Sequence, residues 1–109
     1  MNTGPLSDIE RKIMDRYESA CQTTAMLLLH YESGDDRCLD PKEFEECVKS
    51  AIKLKHDDLS RREVAKKYYE FCEQKTADYA YALSGDDRCR DLMLFREHMM
   101  SVIYRQSLN

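Results

Sequence analysis

Two six-residue runs hold the densest chemistry in this chain. Ser33-Gly34-Asp35-Asp36-Arg37-Cys38 returns unchanged as Ser84-Gly85-Asp86-Asp87-Arg88-Cys89. Neighbouring carboxylates could take a hard cation, two thiols could bridge or share a site, and charged loops on a rigid scaffold could dock a partner. Flanked by aspartates and without a neighbouring histidine or lysine, Cys38 and Cys89 lack the surroundings expected of a reactive thiolate. Turn chemistry accounts for much of the same pattern. Gly34 and Gly85 can end a helix in the left-handed conformation, and Asp35 and Asp86 can bond to the turn backbone. Arg37 and Arg88 can pair with nearby carboxylates, and the cysteines can fill space beneath the turns.

With its surroundings, "ESGDDRCLDPKEFEECV", the first run resembles an EF-hand loop when Glu32 takes the first position. Asp36 then falls at the fifth, Leu39 at the eighth, Asp40 at the ninth and Glu43 at the twelfth. The resemblance implies a helix-loop-helix and a metal-responsive protein of degenerate EF-hand type. The chain departs from the family's pattern where ligands matter. Gly34 offers no side-chain oxygen at the third position, and Arg37 stands where the family has the glycine of its sharp turn. The second copy begins on Leu83 and ends on Leu94. Too few oxygen donors remain for calcium, so no metal ligand is assigned and no cofactor is expected.

Other constellations are thin. His30, His56 and His98 form no H-x3-H or C-x-x-C pattern with the cysteines. Cys21, Cys47, Cys72 and His98 could in principle share a zinc. Counting along antiparallel helices from a turn near Arg37, Cys47 and Cys21 sit about 7.5 Å apart in level, too far for ligands about 2.0–2.3 Å from one metal. There is no phosphate-cradling glycine loop, nucleophile elbow or HExxH. No residue is nominated as catalytic, and the expectation is a non-enzyme.

The elements that position the two runs follow from a wider echo. Residues 51 apart match at Tyr17/Tyr68, Cys21/Cys72, Asp40/Asp91, Phe44/Phe95, Glu46/Glu97, Ser50/Ser101 and Ile52/Ile103. This predicts a tandem repeat, 6–55 and 59–107, within one domain spanning 1–109. Each unit reads as a helical hairpin. Ser7 with Glu10 and Ser60 with Glu63 fit capping boxes, and Asp40-Pro41 and Asp91 mark the second helix of each unit. Apolar residues recur at helical spacing: Ile9, Ile13, Tyr17, Cys21, Thr24, Leu27, Leu28 and Tyr31; then Phe44, Val48 and Leu54; then Val64, Tyr68, Cys72, Tyr79 and Ala82; then Leu92, Phe95, Met99 and Val102. The expected fold is all-α, a four-helix up-down-up-down bundle of two tandem homologous helical hairpins. In it the two SGDDRC loops would be neighbours. A second helix shorter than the third strains that regularity.

Charge divides the chain. Eleven carboxylates stand against four cations in the loop-proximal stretches, whereas Lys53, Lys55, Arg61, Arg62, Lys66 and Lys67 gather where the units join. The net charge of -4 argues against bulk affinity for nucleic acid. With Tyr68 beside Tyr69 and Tyr81 two beyond Tyr79, Tyr69 or Tyr81 should face outward. The expected surface for a partner is therefore Asp35, Asp36, Arg37, Asp86, Asp87 and Arg88 with Tyr69 and Tyr81. The partner would be another protein or a second copy, as for an adaptor, assembly subunit or oligomer. The basic patch offers an alternative, an acidic partner or nucleic acid. Five cysteines, an odd number, and an N-terminus without an apolar signal core favour free thiols in a reducing, intracellular compartment, cytoplasmic or nuclear. No apolar stretch approaches membrane-spanning length.

Overall fold

The computed structural model describes residues 8–107. Its elements are α1 (Asp8–Ser33), α2 (Pro41–Lys55), α3 (Arg61–Ser84) and α4 (Leu92–Ser107), with single 3-10 turns at Asp36–Leu39 and Asp87–Arg90. The all-α expectation holds, and the boundaries fall where local chemistry puts them. Gly34 and Gly85 adopt φ of +71° and +69°, the left-handed conformation that ends α1 and α3. The Asp40 carboxylate accepts from the amides of Lys42 and Glu43, with Pro41 following at a position that needs no donor. Asp91 does the same for Met93 and Leu94. Ser60 and Glu63 form the reciprocal capping box at α3. The box expected at Ser7 lies outside the described residues.

The packing departs from a regular four-helix bundle. In a ring of four, diagonal helices stay apart; here α1 and α3 make the most extensive contact, and α2 and α4 do not meet. The reason lies in side-chain size. Cys21, Ala25, Cys72 and Ala77 are all buried on the two long helices. Their small volumes let the backbones approach until the Thr76 hydroxyl, bonded to its own Cys72 carbonyl, also reaches the Cys21 carbonyl at 3.2 Å. Each long helix then gains a short one alongside. α2 packs on α3 more than on α1, and α4 packs on α1 more than on α3.

Two aromatic pairs hold those flanks: Phe44 against Tyr68 at 6.1 Å, and Phe95 against Tyr17 at 6.4 Å between ring centroids. Burying each phenylalanine contributes about 1.5–3 kcal/mol. These pairs are themselves 51 residues apart, as are the bonds from Gln22 to Tyr68 and from Tyr17 to Glu73. The core thus lies mainly between the two hairpins.

Candidate partner-binding surface

The repeated runs build two turns of the same design. The Asp35 carboxylate accepts from the Arg37 amide at 2.9 Å and pairs with the Arg37 guanidinium at 2.7 Å. Asp86 repeats this with Arg88, at 3.0 and 2.6 Å. The guanidinium and then the amide hold both carboxyls down at about 2. These pairs are turn chemistry, spent within each loop. The carboxylates of Asp36 and Asp87 are exposed and make no bond among the described residues.

The expectation that the two turns are neighbours is corrected by the packing. Each turn contacts only the helices of its own hairpin, and no Cα of one lies within 8 Å of the other. The close approach of α1 and α3 along their middles, rather than a ring of four helices, sets where their ends go. Cys38 and Cys89 are therefore beyond the Cα separation a disulfide spans. All five cysteines are free. Burial pushes Cys72 up to about 11 and raises Cys21 as well, so these thiols stay protonated packing groups. Among the described residues, no three or more His, Cys, Asp or Glu side chains converge to hold a metal.

What connects the turns is the pair of helices that ends in them. The C-terminal halves of α1 and α3 enclose an open cleft of about 390 Å³, lined by Thr24, Leu27, Leu28, Tyr31 and Tyr79. The apolar stripe of α1 predicted a buried face to its end. Instead Leu27 is 56% and Tyr31 89% exposed, because no helix covers this stretch. Leu83, one turn beyond Tyr79 on α3, is 70% exposed. In the second hairpin Met93 and Leu94 are also exposed. The first hairpin carries Glu32, Lys42 and Glu43 at the places of Leu83, Met93 and Leu94. It makes the same turn, so the turn does not require apolar groups there.

Tyr69 faces outward as expected, edge-on to Tyr68. Tyr81 is half-buried beneath the Arg90 guanidinium, 5.3 Å from its ring centroid. Lys53, Lys55, Arg61, Arg62, Lys66 and Lys67 are all exposed. Leu54, between two of these lysines, is 88% exposed.

A second cleft opens between the N-terminal halves of α1 and α3, about 250 Å³, and sequence reasoning missed its centre. Glu73, only 5% exposed, accepts from the Tyr17 hydroxyl at 2.5 Å and from Arg96 at 2.7 and 2.8 Å. Burial raises the Glu73 pKa, but the bonds from Arg96 and Tyr17 outweigh it and the net shift is downward. Glu18, on the same wall, is raised by burial and by Asp15. The available signal was a carboxylate beside Cys72 and one turn before Ala77, on the stripe that α3 buries. Because both oxygens of Glu73 are engaged, this group stabilises the packing of α1, α3 and α4 rather than offering a free carboxylate.

No helix among the described residues is long and apolar enough to cross a membrane. No family model, curated protein or solved structure matches this chain.

Proposed function

We propose that this chain is a duplicated helical hairpin that acts as a non-enzymatic protein-interaction module, an adaptor or assembly subunit. The recurrence of turn, cap and core bonds at a spacing of 51 residues supports the duplication. The observation that carries the functional reading is the uncovered cleft with Leu27, Tyr31 and Tyr79 exposed on its walls. Apolar groups left in solvent at helical spacing along an open cleft fit a surface that takes a partner. The turns that follow both cleft helices carry exposed Asp36 and Asp87. Five free thiols favour a reducing compartment as its place of work.

The test is site-specific photo-crosslinking in the native cell. A photoreactive residue at Tyr31 or Leu27 is expected to give a discrete adduct with one identified protein. The same residue at Ser19, exposed on α1 away from the cleft lining, is expected to give none. Absence of any adduct from the cleft positions would sink the reading. A second reading rests on the basic stretch, whose six cations are all exposed. It makes that end a site for an acidic partner or nucleic acid, with salt-sensitive binding.

A further inference from the structure

We infer that the cleft between the C-terminal halves of α1 and α3 receives a basic amphipathic helix of a partner protein. The inference rests on the interaction-module reading and names the partner's chemistry. Three observations carry it. First, the main wall is a helical ridge: Thr24, Leu27, Leu28 and Tyr31 rise along α1, and Tyr79 of α3 faces them. Ridges at that spacing interdigitate with the side chains of a third helix, whose apolar residues recur every third or fourth position.

Second, the stretches of chain that flank this lining are acidic. From Glu32 to Asp40 and from Asp78 to Asp91 there are eight carboxylates against three arginines. Two of those arginines are held by Asp35 and Asp86, and the third lies over Tyr81. Glu32 is held by Lys75. Arg90 keeps its charge, yet these stretches remain net negative, and exposed Asp36, Asp78 and Asp87 have no cationic partner among the described residues, which favours Lys or Arg flanking the incoming apolar face. Third, one turn beyond Tyr79 on α3 the chain exposes a further apolar group that the fold does not need. Leu83 stands where the first hairpin carries Glu32, and both hairpins make the same turn.

The experiment uses the full chain and a synthetic amphipathic helix of about five turns, with leucines on one face and lysines flanking them. Binding is read by fluorescence anisotropy. The lysine peptide is expected to bind and to weaken as salt rises. A peptide with the same leucines and glutamates in place of lysines should bind at least about tenfold more weakly, and L27E should weaken the lysine peptide by a similar factor. Y31E reads the same wall at a side chain with no packing role, should L27E fold poorly.

Equal binding of the two peptides, no binding of either, or indifference to L27E and Y31E would overturn the inference. So would sedimentation showing that the chain self-associates and that L27E abolishes it, since a second copy would then be the occupant. If crosslinking from Tyr31 finds a partner while the lysine peptide fails, the module reading survives and the basic helix does not.

Discussion

Glu73 is the one charged side chain buried among the described residues, and its surroundings decide what substitutions there do. Removing Arg96 leaves a buried carboxylate with only the Tyr17 hydroxyl. Breaking a fully buried pair costs about 3–5 kcal/mol, but Arg96 keeps 43% of its side chain in solvent, so about 2–3 kcal/mol is expected for R96A. Urea unfolding of R96A and E73Q measures both, and E73Q should lose less because a neutral amide needs no counter-charge. Acid sensitivity follows the same group. Its folded pKa lies below the ordinary 4.5, so its contribution is complete above that value and is lost as pH falls through the lower, folded value. Unfolding midpoints measured from pH 6 downward, roughly the span over which carboxylates titrate, should fall below about 4.5 and fall less steeply in E73Q.

At the scale of elements, the boundaries rest on single side chains, and they separate cleanly in a stability measurement. D40A and D91A each remove an acceptor shared by two amides, at about 1 kcal/mol apiece. G34A meets no atom within 4 Å, so its whole cost is the left-handed backbone, again about 1 kcal/mol. Thermal melts of D40A, D91A and G34A check these values; a neutral G34A would mean the turn can adopt another path. These boundaries were legible in the sequence because each depends on residues a few positions apart: Asp before Pro41, Ser60 three before Glu63, glycine after a helical run. Which face of each helix ends up inside was less legible. The stripe from Ile9 to Tyr31 has one period throughout, yet only its middle is buried. Periodicity reports which residues share a face, not how far a neighbouring helix extends over it. The Glu73–Arg96–Tyr17 cluster escaped for a related reason: it joins three helices, and no local spacing records that Arg96 comes to face α3.

Between helices, the molecule is held together across its two hairpins more than within them. α1 with α3, α1 with α4 and α2 with α3 are the larger contacts, while α1 with α2 and α3 with α4 are the smaller. Both aromatic pairs, the Glu73–Tyr17 bond and the Thr76 bridge all cross between hairpins. The covalent link over His56–Ser60 carries few of those contacts and is exposed for most of its length. Cutting the chain between Asp57 and Asp58, through an inserted protease site, should therefore leave two fragments that co-elute as one helical species. Its melting temperature should become concentration-dependent, because unfolding now releases two molecules instead of one. The link lowers the entropy of bringing the halves together, so the nicked form should also melt earlier than the intact chain at micromolar concentration. Gel filtration with circular dichroism reads all three. Fragments that separate, each keeping its helicity, would show that the hairpins are stable alone and that the crossing of α1 over α3 is a docking of finished units. Fragments that separate and lose their helicity would show that the contacts between hairpins are too weak to hold without the link. Co-elution with a shared, concentration-dependent melt is what small residues at that crossing require, since they bring the two backbones close only when both hairpins are present.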